Sequence, residues 1–334
     1  MLVLDALSMN PTSRRPVWVM RQAGRYMPAF RAMREKYSFE KLCLTPELAT
    51  EITLLPMKRF SFDASIVFSD ILFPLQALGA ELKYTDQGPV LTAPKNAAEL
   101  SKLKTSFEPK EGTPAILKTL SMMRQELPAE KALLGFAGAP FTMLTYLLEG
   151  KLSKDLKTIK RWMAEEPELV KTWLDRLASL TGKYLDAQAE AGADAVQLFD
   201  TWAGQLSPED FENFALPYAR KALSMVTVPS LYYVNGIAGV LESAASVGAQ
   251  GLSIDWRITL GDARKRISQV TALQGNLDPH SLLLPKREIR ERVFRMCESY
   301  GRGPGHIVNL GHGIVPEISE EAVEAFVSAA QEWR

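Results

Sequence analysis

The chain has 334 residues, 46% of them hydrophobic and 23% charged, which is ample for a large buried core and excludes a disordered or fibrous composition. Lys plus Arg and Asp plus Glu both number 39, so the net charge is zero and a general electrostatic hold on nucleic acid is excluded. The two cysteines, Cys43 and Cys297, lie far apart in no CxxC pattern, which argues against a disulfide framework and fits a reducing compartment.

In chain order, the N-terminus (MLVLDALSMN) has no basic stretch ahead of a long apolar core, so no signal peptide is expected. Eight short apolar runs rich in β-formers follow. They are 16–20 (PVWVM), 65–68 (SIVF), 132–136 (ALLGF), 193–199 (ADAVQLF), 230–234 (SLYYV), 251–254 (GLSI), 270–274 (VTALQ) and 306–310 (HIVNL). Runs apolar on both faces suit buried parallel strands. Amphipathic helical stretches lie between them, at 46–60, 114–126, 167–190, 208–224, 237–247 and 260–267. Eight alternating units predict a single-domain (β/α)₈ barrel over 1–334. Segment 81–92 (ELKYTDQGPVLT) breaks the alternation and predicts a β-hairpin inserted after the second strand, turning at Asp86, Gln87 and Gly88. No apolar run reaches the roughly 18 residues of a membrane helix, so a cytoplasmic protein with no membrane partner is expected.

A (β/α)₈ barrel gathers its site where the strands end. The eight runs are followed, in order, by Arg21 and Arg25; Ser69 and Asp70; Gly138 to Pro140 and then Tyr146; Asp200 and Thr201; Asn235 and Gly236; Asp255; Gly275 and Asn276; and Gly311, His312 and Gly313. Arg21, Gln22, Ala23, Gly24 and Arg25 read as an anion-gripping loop. Guanidinium groups fork onto carboxylates, and Gly24 lets the backbone approach a ligand. Arg31 and Arg34, at helical spacing beyond, are better read as a surface run paired with Glu35, Glu40 or Glu47. Asp70 closes an apolar run and needs a partner, either one of the arginines or a ligand's N–H groups. His312 stands between two glycines and faces the site; His280 reads as a turn or cap residue and His306 begins a strand. Tyr146 either reaches the rim or packs in the core. Thr201 either donates to a carboxylate or caps its segment.

There is no HExxH, no paired CxxC and no GxxxxGK[ST]. The glycines at 135 and 138, and at 301, 303 and 305, lack a strand–turn–helix context for a dinucleotide. No metal and no cofactor is expected.

The segments PVWVMRQAGRYMPAFR (16–31), FSDIL (68–72), GFAGAPFTMLTYLLEG (135–150), VQLFDTWAG (196–204), FALPYAR (214–220), LQGNLDP (273–279) and NLGHGI (309–314) together resemble the uroporphyrinogen decarboxylases. The match runs in order over nearly the whole chain. It implies a (β/α)₈ barrel, commonly dimeric, that removes CO₂ from the four acetate arms of uroporphyrinogen III without metal or organic cofactor. It implies catalytic roles for Asp70 and Arg21. It implies substrate contacts from Arg21, Gln22, Ala23, Gly24, Arg25, Asp70, Tyr146, Thr201 and His312, with Phe30, Phe39, Phe136 and Phe199 as apolar walls. Thr201 departs from the serine of many relatives but keeps the hydroxyl. Two other readings are a related corrinoid-dependent barrel methyltransferase, which needs a zinc-bound thiolate that neither cysteine is placed to give, and a non-catalytic tetrapyrrole-binding protein.

Overall fold

The structure is a computed structural model that describes every residue except 86–87, 152–154, 268–270 and 334. Seven strands form one parallel sheet: β1 (Ala64–Ile66), β4 (Ala132–Gly138), β5 (Ala195–Asp200), β6 (Ser230–Val234), β7 (Gly251–Ser253), β8 (Ala272–Leu277) and β9 (His306–Leu310). They neighbour one another in that order, each consecutive pair joined through helices on the outer face. Every residue of β4 to β9 is buried, which explains why the runs read as continuously apolar rather than alternating. The predicted run at 270–274 begins at Val270, which lies outside the described residues.

The first predicted strand, 16–20, differs. Only Val17 forms a β-bridge, to Val308. Pro16 has no N–H to give a ladder, and Arg21, at φ 62°, turns the chain away. The segment still closes the ring. Trp18 N–H donates to Val308 O (3.2 Å), Val308 N–H to Pro16 O (2.8 Å), and Asp63 N–H to Val17 O (2.8 Å). Further along β1 a side chain replaces the missing strand. The Gln22 amide donates to Ala64 O (3.1 Å) and accepts from Ile66 N–H (2.9 Å).

Inside the ring sits a polar belt. Trp18 Nε1 donates to Gln274 Oε1 (2.9 Å), and Gln274 Nε2 reaches Gln197 Oε1 (2.9 Å) and Ser253 Oγ (3.0 Å). One continuous apolar cluster, from Val3 to Ala330, surrounds it. The helices Pro46–Arg59, Pro114–Glu126, Pro140–Glu149 and Pro167–Glu190 each start on a proline at N1, where the absent N–H would have been unpaired anyway. The predicted helix 208–224 forms over 208–223 with a π-bulge inside it. A π-turn at Phe211–Ala215 precedes Leu216–Leu223, because Pro217 cannot donate back to residue 213. The predicted helix 237–247 is shorter, a 3₁₀ turn Ile237–Gly239 followed by Leu241–Ala245. The hairpin forms as expected, β2 (Leu82–Thr85) against β3 (Gly88–Leu91), with turn residues 86 and 87 outside the described residues.

Candidate active site at the strand ends

The loop at 21–25 is held from beneath. Gln22 is buried with its side chain spent on β1, so only its backbone remains for a ligand. Its carbonyl accepts from Tyr26 Oη (2.6 Å). Arg31 does not pair with a glutamate; its Nη1 donates to the carbonyls of Arg25 (2.8 Å) and Tyr26 (3.0 Å). Arg34 likewise donates to Tyr37 O (2.7 Å) and lies over the Phe39 ring. Loop carbonyls, aimed at the start of the following helix, outcompete the solvated glutamates predicted as partners. Arg21 and Arg25 stay exposed. The Arg21 side chain runs across Gly313, where a Cβ would stand 2.8 Å from its Cγ and Nε. Gly313 is thus the gap through which the first arginine passes the last strand end.

Asp70 forms one pole of the mouth. Its Oδ1 accepts Leu72 N–H (2.8 Å). Burial pushes the Asp70 carboxyl up, while the Leu72 N–H, the Arg21 charge and Tyr84 draw it back. Tyr84 comes from the inserted hairpin; its buried hydroxyl lies close enough to Asp70 for each to shift the other, yet outside hydrogen-bond geometry. Tyr146 is part-exposed, edge-on to Trp202 (5.9 Å). Burial, then the Asp70 charge, pushes its phenol up to about 12, with Trp202 and Arg21 opposing. Arg21, Asp70 and Tyr146 therefore share one electrostatic neighbourhood. Phe39 closes its flank, against Tyr84 (4.8 Å) and Phe68 (5.6 Å), with Phe30 on the far side of Phe68.

Thr201 is half-buried at the end of β5. The turn bearing it is anchored by Asp200, which is fully buried and accepts from Thr142 Oγ1 and Tyr232 Oη, both at 2.7 Å. Thr142 Oγ1 in turn accepts Trp202 N–H (3.2 Å). Burial pushes Asp200 up to about 6, with the Tyr232 and Thr142 hydroxyls opposing.

His312 forms the other pole. Its Nδ1 accepts Gly313 N–H (2.6 Å), which leaves the proton of the neutral ring on Nε2. Burial, then the charges of Arg21 and Arg257, pulls its pKa down to about 4, with Asp255 opposing. The ring is neutral at pH 7. Tyr233 stands edge-on to it (6.0 Å) and donates to Gly311 O (3.2 Å). Phe199 lies 5.8 Å from Tyr233, and Phe136 5.8 Å from Phe199. An aromatic line thus crosses the mouth between the poles.

The mouth therefore joins Arg21, Asp70, Tyr146 and His312, with Thr201 on a fixed turn beside Trp202. It does not include His280, which is exposed behind its N-cap Asp278, nor His306, buried within the barrel. Sequence reasoning missed Tyr84, Tyr233 and Arg257. Tyr84 lies in the segment read only as an inserted hairpin and Tyr233 inside an apolar run read only as strand; Arg257 lies two residues past Asp255, the rim position already marked. Among the described residues no three His, Cys, Asp or Glu side chains are grouped to hold a metal, and no helix is long and apolar enough to cross a membrane. An arrangement of cations around one carboxylate, walled by aromatic rings, suits a flat ligand with acidic arms and central N–H donors.

A model of the uroporphyrinogen decarboxylase (URO-D) family matches residues 1–333. The uroporphyrinogen decarboxylase of Geobacter metallireducens is 44% identical over 322 residues, covering 95% of this chain and 94% of that protein. That of Roseiflexus is 40% identical over 340 residues, covering 99% and 97%. Among solved structures, a methyltransferase from Methanosarcina mazei superposes with a TM-score of 0.82 at 22% identity, covering 98% of this chain and 97% of that one. That likeness carries the barrel architecture alone.

Proposed function

Because the chain belongs to the uroporphyrinogen decarboxylase family, we propose that its barrel mouth removes CO₂ from the four acetate arms of uroporphyrinogen III, leaving methyl groups and giving coproporphyrinogen III. The chain is a carboxy-lyase of tetrapyrrole biosynthesis. The observation that carries the residue-level reading is Asp70, in the loop after β1, within electrostatic reach of both Arg21 and Tyr146.

Protonation of a pyrrole carbon makes the ring a cationic electron sink. The bond between the acetate carboxylate and its methylene then breaks. Its electron pair flows into the ring, CO₂ departs, the exocyclic carbon takes a proton to become methyl, and the ring carbon gives up its added proton to restore the pyrrole. Asp70 accepts from the pyrrole N–H groups and stabilises the cation, a preorganised effect worth a few kcal/mol. Arg21 and Arg25 hold carboxylates, and the backbone of Gln22, Ala23 and Gly24 lines their approach. Tyr146, Thr201 and the Nε2–H of His312 donate to acidic arms, and Phe39 bounds the pocket. A neutral His312 holds no excess proton to deliver, and a guanidinium is too basic to release one. The chemistry asks for no metal or cofactor.

The chain forms one domain that pairs as a cytoplasmic homodimer in this reading. The unpaired, buried Cys43 and Cys297 fit a reducing compartment. Sedimentation at twice 37.1 kDa tests the dimer. For the chemistry, the purified protein is incubated with uroporphyrinogen III and the porphyrin carboxylates are separated chromatographically. Successive loss of four carboxylates is expected. Asp70→Asn is expected to cut kcat/KM by about 10³-fold while leaving the unfolding midpoint unchanged. Normal turnover in that variant sinks the electrostatic role.

A further inference from the structure

The loop after β7 carries a cation that neither the sequence motifs nor the family resemblance singles out. Arg257 follows Asp255, whose carboxylate is wholly buried. Asp255 Oδ1 accepts Arg257 N–H (2.8 Å), and Oδ2 accepts Gly236 N–H. That carboxylate ties the ends of β6 and β7 together before any side-chain cation is counted. The Arg257 guanidinium then leans back along the same ridge. Its Nη1 donates to Asn235 Oδ1 (2.9 Å) and lies 3.3 Å from Asp255 Oδ2, with the plane over the Trp256 ring at 4.6 Å. Trp256 is pressed against the loop after β9, since a Cβ at Gly311 would stand 2.7 Å from Trp256 N and 3.0 Å from Asp255 Cα. Gly311 is the residue before His312. The guanidinium is therefore fixed beside the His312 pole.

Only Nη1 is spent. Nε and Nη2 have no partner among the described residues, and the side chain is 49% exposed. Those two nitrogens form the edge that takes a carboxylate in a two-point grip. A guanidinium recruited merely to neutralise Asp255 would turn that edge inward. Here each carboxylate oxygen already accepts a backbone N–H, so the carboxylate is held without the outer edge of the guanidinium. Arg257 and Arg21 both act on His312 and Tyr233, so the two cations lie within electrostatic reach of the same aromatic pair.

We propose that Arg257 is a substrate-specificity residue: the Nε–Nη2 edge grips a peripheral, non-reacting carboxylate of the tetrapyrrole on the His312 side of the mouth. The proposal rests on the decarboxylase reading. It adds a third carboxylate grip to Arg21 and Arg25, from a different strand end, that of β7. A contact kept equally in the ground and transition states lowers KM and leaves kcat alone.

The test compares wild type, Arg257→Gln and Arg257→Lys with uroporphyrinogen III as substrate. Arg257→Gln is expected to raise KM about tenfold with kcat within about twofold, the loss of one charge-assisted grip. Arg257→Lys is expected to recover part of the loss, since it keeps the charge but not the fork. A KM within twofold of wild type for Arg257→Gln, or a fall in kcat at unchanged KM, overturns the proposal. Equilibrium titration with the tetracarboxylate coproporphyrinogen separates the two readings. Weaker binding by Arg257→Gln supports the grip even if wild type releases no CO₂, an outcome in which only the decarboxylase reading fails. Equal binding by the two proteins overturns the grip whatever the turnover.

Discussion

Two histidines, six residues apart on and just beyond β9, show how the same chemistry is made inert at one end of a strand and available at the other. His306 lies within the barrel, stacked on Tyr300 (4.7 Å), with Nε2 donating to Gly275 O (2.9 Å) and Nδ1 accepting from Arg15 Nη1 (2.6 Å). Arg15 is itself buried, and donates also to Cys297 O (3.0 Å) and Gly301 O, with its plane 3.9 Å over Trp333. His312 also has an arginine near it and a lowered pKa, with burial as the first cause in both rings. The difference is in what remains unspent. Around His306 both ring nitrogens and the guanidinium are consumed. Around His312, Nε2 and the Nε and Nη2 of Arg257 have no partner among the described residues. A depressed histidine pKa therefore does not mark a site; an unspent donor beside it does.

The largest effect that would sharpen this contrast is on stability. Arg15→Leu removes the side-chain donor to Gly301 O and to the buried His306 Nδ1 and one of the two donors to Cys297 O, and is expected to cost about 3 kcal/mol in urea unfolding. Turnover per folded molecule is expected to stay within about twofold, because no contact to the mouth is lost. Loss of turnover beyond the loss of fold would break the comparison.

The next effect falls at the mouth. Gly313→Ala places a methyl in the path of Arg21, whose side chain must move aside. The expectation is roughly tenfold lower kcat/KM, with an unfolding free energy changed by under about 1 kcal/mol, since the displaced atoms belong to a flexible, exposed side chain. Steady-state kinetics and melting on the same preparation check both halves.

The last effect is a pH dependence. His312 titrates near 4 in the fold and near 6.5 when unfolded, so the unfolded chain takes up that proton first as pH falls. Its contribution to stability is whole above about pH 6.5 and drains away toward pH 4. Subtracting the unfolding curve of His312→Gln from that of wild type removes the opposite slope of Asp200, whose raised carboxyl favours the fold as pH drops. The difference is expected to narrow by roughly 1–3 kcal/mol between pH 6.5 and 4. A flat difference would show the ring is no less basic folded than unfolded.

Much of the fold was legible because burial on both faces leaves a mark. Seven of the eight apolar runs became sheet strands within a few residues of their expected bounds. The eighth, at 16–20, kept the composition of a strand but not its ladder, since Pro16 lacks a donor and the Gln22 amide takes over the β1 edge. That substitution leaves Gln22 only its backbone to offer a ligand. Its neighbours in the motif face out while it faces the sheet, and a motif carries no direction. Arg31 could not be read either, because its partners are backbone carbonyls, which every residue supplies and no sequence pattern marks.

The sequence by itself determined the alternation of strand and helix, the hairpin, the absence of a charge excess and the polar residues that stand where the strands stop. These are local: periodicity, proline and glycine positions, and residue type are properties of neighbouring residues. Only the tertiary structure decided which polar groups were left unspent. The distance from Arg21 to Gly313, the filling of Asp255 by backbone donors, and the free edge of Arg257 all depend on strand ends far apart in the chain meeting at one rim. Hydrogen-bond capacity is consumed by whichever partner arrives first in space, and closing the ring is what brings those partners.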